Sequence, residues 1–68
     1  MDKIPKLIKQ ARKLSGLTQQ QLAQKISADK GYVSLIESGK KGVSINRLNE
    51  IMDVLGFDLE YVIKKYCD

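Results

Sequence analysis

A chain of 68 residues with a net charge of +4, no histidine and one cysteine holds a single domain, forms no intrachain disulfide and leans towards polyanionic partners. At this size only about 60% of the unfolded surface is buried on folding, so the apolar residues must share one core or borrow burial from a second subunit. No carboxylate pair has metal-ligand spacing, no Gly-rich loop suits a phosphate and no base activates Cys67, so an enzyme, a metal site, a cofactor and a small-molecule ligand are not expected.

The apolar pattern predicts five helical segments, at about 3–14, 18–26, 29–38, 44–55 and 58–66. In the first, Ile4, Leu7, Ile8 and Ala11 recur at the spacing of a buried stripe, with Lys3, Lys6, Lys9 and Lys13 on the solvated side. Pro5 fits because it lies in the first turn, where backbone N–H groups have no intrahelical partner. Ser15-Gly16 ends the helix, with Gly16 suited to a left-handed cap.

Thr18 caps the second segment, and Gln21 three residues later completes a capping box. Leu22, Ala23 and Ile26 form its apolar face. Asp29 caps the third, which turns Val33 and Ile36 inward with Tyr32 beside them and stops at Gly39. After a Lys40-Lys41-Gly42-Val43 loop, Ser44 caps the fourth, whose Ile45, Leu48, Ile51, Met52 and Leu55 read as one continuous stripe ending at Gly56.

Asp58 opens the last segment, where Leu59, Val62, Ile63 and Tyr66 have helical spacing and Glu60 pairs with Lys64. Phe57, Leu59, Tyr61 and Ile63 also alternate as a strand would; helix is the favoured reading. Cys67 is read as a free thiol near the chain end, with an intermolecular disulfide or redox switch as the lesser reading. The start lacks a signal-peptide run and no stretch approaches the roughly 20 apolar residues of a membrane span, so no membrane is expected and the expected location is cytoplasmic.

Function is carried by the second and third segments, which have only Ser27-Ala28 between them. Two short amphipathic helices with so brief a break suit a helix-turn-helix, whose second helix enters the DNA major groove, although ordinary helical hairpins share that spacing. The run Gly16-Leu17-Thr18-Gln19-Gln20-Gln21-Leu22-Ala23-Gln24-Lys25-Ile26, continued by Tyr32-Val33-Ser34-Leu35-Ile36-Glu37-Ser38-Gly39-Lys40, resembles the Cro/phage-repressor (Xre-type) helix-turn-helix family. Ser44-Ile45, Leu48, Ile51, Leu55-Gly56 and Leu59 also fall where that family's fourth and fifth helices need them, so the likeness spans about residues 6 to 63.

The resemblance implies an all-α, five-helix, lambda-repressor-like DNA-binding domain over residues 1–68. It also implies phosphate contacts from Thr18, Gln19, Tyr32, Ser38, Lys40 and Lys41, for which a solvated lysine pair is the plain alternative at the last two. Arg12 and Glu37 match positions that form an internal ion pair in this family; a surface arginine on a phosphate is the other reading. At 100° per residue the third helix turns Gly31, Ser34, Leu35 and Ser38 outward, with Lys30 at the edge. Base contacts are therefore expected from Lys30, Gly31, Ser34 and Leu35: lysine to guanine, serine to either kind of edge, leucine to a thymine methyl. None of these reads a base with two hydrogen bonds, and the same face could instead bind protein.

The expected function is sequence-specific transcriptional regulation, of repressor or controller type, by a homodimer on a two-fold operator of double-stranded DNA. Phe57, Tyr61, Val62 and Tyr66 exceed what a small core absorbs and are assigned to the dimer interface; capping a monomer's core is their alternative. The competing function is an antitoxin-type module that neutralises a toxin partner, with DNA binding secondary.

Overall fold

The computed structural model describes residues 3–57. Over these residues the chain is all-α, with helices α1 (Lys3–Leu14), α2 (Gln19–Lys25), α3 (Lys30–Glu37) and α4 (Ile45–Val54), and no strand among the described residues. The first four predicted segments are thus present, differing from the observed helices only by the capping residues at their ends. The fifth, at 58–66, lies outside the described residues, and with it Tyr61, Val62, Tyr66 and Cys67.

Local chemistry starts α2, α3 and α4 at the caps that the sequence places. Thr18 accepts from the Gln21 backbone at 3.1 Å while the Gln21 side chain accepts from the Thr18 N–H at 2.8 Å, the reciprocal pair of a capping box. Asp29 Oδ1 accepts from the Tyr32 N–H at 2.7 Å, and Ser44 Oγ from the Arg47 N–H at 3.1 Å. Each replaces a backbone partner that the first turn lacks, an effect typically of about 1 kcal/mol.

All four helices stop in one way. In α1 the Leu17 N–H reaches back to the Arg12 carbonyl and the Gly16 N–H to that of Lys13; the same pair of bonds recurs after α2, α3 and α4. This ending requires a left-handed residue. Gly16 (φ 73°), Gly39 (φ 80°) and Gly56 (φ 83°) supply it for three helices, but after α2 the position is Ser27 at φ 56°. A side chain there costs roughly 1–2 kcal/mol, and the turn between α2 and α3 carries that strain.

The core is built from Leu7, Ile8 and Ala11 of α1, Leu22 and Ala23 of α2 with Ile26 at its end, Val33 and Ile36 of α3, and Leu48, Ile51, Met52 and Leu55 from α4 and its cap. Fully burying one of the larger members contributes about 1.5–3 kcal/mol, which a 68-residue chain cannot spare. Ile4 and Phe57 pack against this cluster while partly buried. Ser15 Oγ links the ends of α1 and α4, lying 2.9 Å from the Ala11 carbonyl and 3.1 Å from that of Leu55. Ile45 departs from expectation: it opens α4 and is 63% exposed, so the buried stripe of that helix begins at Leu48. It lies in the first helical turn, where no neighbour covers most of its side chain, and spacing alone could not show that.

Candidate nucleic-acid interface

α2 and α3 pack directly on each other through Leu22, Ala23, Val33 and Ile36, with the Ser27-Ala28 turn between them. Burying Val33 and Ile36 fixes the rotation of α3 about its axis. Lys30, Gly31, Ser34, Leu35 and Ser38 are consequently all exposed, and the candidate base-reading residues share one outer face. Leu35 is 42% exposed, an apolar side chain open to a partner.

Two arginines hold this unit from opposite sides. Arg12 of α1 grips the C-terminal end of α3: its Nε donates to Glu37 Oε2 at 2.7 Å and its Nη2 to Oε1 at 3.1 Å. Its Nη1 donates to the Leu17 carbonyl at 2.8 Å. The two side chains are only 10% and 3% exposed, so this is a buried, two-pronged ion pair, and the internal assignment of Arg12 and Glu37 is the correct one. Arg47 of α4 holds the other end. Its Nη1 donates to the Ile26 carbonyl at 3.0 Å and to Glu50 Oε1 at 2.9 Å, and its Nε to the Tyr32 hydroxyl oxygen at 3.3 Å. The hydrogen bond to Tyr32, and after it that to Glu50, raises the Arg47 pKa above the ordinary guanidinium value, so it remains a cation.

The candidate phosphate-contacting residues differ in what they have left to offer. Thr18 Oγ1 accepts from Gln21 and keeps its own proton for a ligand. Gln19 Nε2 donates to Glu37 Oε1 at 3.1 Å, which steadies the amide and leaves its second N–H. Ser38 Oγ donates to the Leu35 carbonyl at 3.0 Å, so its hydroxyl must rotate before it can donate to a phosphate. Lys40 and Lys41 are exposed in the α3–α4 loop, where their backbone N–H groups close onto the Leu35 carbonyl. Lys41 Nζ lies 5.8 Å from the centroid of the Tyr32 ring and the Arg47 guanidinium 5.0 Å from it, two cations on one aromatic.

Gly31 proves more constrained than a tolerated helix glycine. A Cβ there would stand 3.3 Å from Asp29 Oδ1, the atom that caps α3, so the missing side chain leaves room for the cap. Sequence reasoning did not single out Arg47 or Glu50. Their only visible signal was a charge pair three residues apart, ordinary on any exposed helix. Phe57, assigned to a dimer surface, is partly buried against the core, which leaves part of its ring for a partner. Among the described residues no group of three or more His, Cys, Asp or Glu could hold a metal ion, and no helix is long and apolar enough to cross a membrane.

A family model described as helix-turn-helix (HTH_3) matches residues 8–62. No curated protein matches the chain. Among solved structures, the crystal structure of the wild-type restriction-modification controller protein C.Esp1396I is similar, with a TM-score of 0.87 and 30% identity over 97% of this chain and 87% of that one. The matched stretch contains both arginine clamps and the whole outer face of α3. The chain therefore belongs to the Xre/Cro-lambda-repressor-like helix-turn-helix family, as a DNA-binding domain of transcription-factor type and not an enzyme.

Proposed function

We propose that the chain is a small transcriptional controller that binds a two-fold DNA operator as a homodimer, with α3 in the major groove. The observation that carries this reading is the fixed rotation of α3: with Val33 and Ile36 buried, Lys30, Gly31, Ser34 and Leu35 are exposed together on its outer face, and Lys40 and Lys41 are exposed in the loop that follows. Likeness to a restriction-modification controller over nearly the whole chain supports the same assignment. Lys30 donates to guanine, Ser34 to a base edge, and Leu35 meets a thymine methyl. With no two-pronged reader on that face, DNA shape and half-site spacing supply much of the specificity. Two α3 helices in successive major grooves require half-sites about 34–36 Å apart, one turn of DNA.

Selection of bound sequences from a random duplex pool tests this directly, since an operator of the proposed kind emerges as two related half-sites one turn apart. Sedimentation should show a dimer, in solution or on the operator; monomer alone in both cases contradicts the dimer. Lys40→Ala with Lys41→Ala should weaken binding to all duplexes alike and lower the slope of log affinity against log salt by about two. Absence of binding to any duplex at low salt contradicts the proposal and leaves the antitoxin-type, protein-binding reading.

A further inference from the structure

Arg47 lies outside the helix-turn-helix, yet it holds both of that unit's helices: α2 through the Ile26 carbonyl and α3 through Tyr32. A guanidinium N–H only donates, so the Tyr32 oxygen is the acceptor of the Arg47 Nε bond. The phenol's own proton must then point away from Arg47, and no acceptor among the described residues takes it. The backbone end of Tyr32 is fixed as well, its N–H held by Asp29 at 2.7 Å. Lys41, with Nζ 5.8 Å from the ring centroid, places a second cation beside the phenol. A fixed O–H donor next to two cations is the complement of a phosphate diester oxygen, which only accepts and carries negative charge.

We infer that Arg47 is a positioning residue for DNA binding: by donating to the Tyr32 oxygen it commits the Tyr32 hydroxyl to donate to a backbone phosphate, with Lys41 supplying charge beside it. Glu50, bound to the same guanidinium at 2.9 Å, helps to hold Arg47 in place. The assignment rests on the DNA-binding reading above and adds to it a residue on a different helix.

The test measures binding by fluorescence anisotropy, using the duplex selected from the random pool, for wild type, Tyr32→Phe, Arg47→Met and the double variant. Each single change should weaken binding about ten-fold, the effect of one hydrogen bond to a charged group. The double should be only about two-fold weaker than the worse single, because both remove the same contact. Replacing phosphates one at a time by methylphosphonate should reveal a position that weakens wild type and leaves Tyr32→Phe unaffected, a signature that a purely structural role would not produce. Full-strength binding by Tyr32→Phe, or single losses that multiply in the double, overturns the inference. Thermal unfolding checks that each variant is folded; if Arg47→Met is not, Tyr32→Phe and the phosphate scan decide alone. Where wild type binds and the Lys40/Lys41 double is weakened but Tyr32→Phe is not, this inference fails and the DNA-binding reading survives. Where wild type binds no duplex, both fall.

Discussion

The two ends of α3 are held by arginines of opposite character. At the C-terminal end Arg12 meets Glu37 in a nearly dry site, with four hydrogen bonds linking α1, the start of α2 and α3. At the N-terminal end Arg47 is 29% exposed and divides its donors among a backbone carbonyl, a phenol and a carboxylate that is itself 47% exposed. Burial makes the first clamp rigid and costly to break, since losing one partner leaves the other charge away from water. Exposure makes the second weaker in stability and available to a ligand. The same residue type therefore serves the fold at one end of the helix and the interface at the other.

Breaking the buried clamp should have the largest effect. Glu37→Ala strands the Arg12 guanidinium and should lower stability by about 3–5 kcal/mol, comparable to the whole stability of a domain this small and measurable by urea or thermal unfolding. Replacing both partners together, Arg12→Met with Glu37→Leu, should cost markedly less than Glu37→Ala alone; an equal or larger loss would show that the bonds to Leu17 and Gln19 matter more than the ion pair.

The exposed clamp should give way more gently. Arg47→Met removes its bonds to Ile26 and Tyr32 and should cost about 1 kcal/mol, and Glu50→Gln no more than about 0.5 kcal/mol, lost in high salt. A loss from Arg47→Met as large as that from Glu37→Ala would erase the contrast between the two clamps.

The turn beneath the Arg47 clamp supplies a change in the other direction. Ser27→Gly relieves a left-handed serine between α2 and α3 and should raise stability by about 0.5–1 kcal/mol, the gain being reduced by the freer unfolded chain. A decrease would mean that the serine side chain stabilises the turn in a way its backbone angles do not reveal.

Gly31→Ala should show the smallest effect, within about 0.5 kcal/mol. The helix-propensity gain of alanine is offset by the push of its Cβ, 3.3 Å from Asp29 Oδ1, on the cap of α3. A gain near a full 1 kcal/mol in thermal unfolding would show that Asp29 moves aside freely.

Much of the fold was legible because its signals are local. Thr18, Asp29 and Ser44 announce three helix starts, and Gly16, Gly39 and Gly56 stand where helices end. Inward Val33 and Ile36 were enough to derive the outer face of α3 by rotation. The Arg12–Glu37 pair, 25 residues apart, was reached through family likeness and not through spacing. Ser27 concealed the left-handed turn because serine carries no strong preference for it. Ile45 looked like core because periodicity records the face of a helix and not whether a neighbour covers it.

The amino-acid sequence by itself determined the helices, their caps and the outward face of α3, since these follow from hydrogen bonding within a few residues and from a 3.6-residue period. Only the tertiary structure decided which charges are buried, that Gly31 makes room for the Asp29 cap, and that Arg47 reaches across from α4 to Ile26 and Tyr32. The ion pair and the Arg47 contacts depend on distances between segments that are 15 to 25 residues apart along the chain, which side-chain spacing does not encode and packing does. The Gly31 contact, only two residues from its partner, depends on the rotamer of the Asp29 cap.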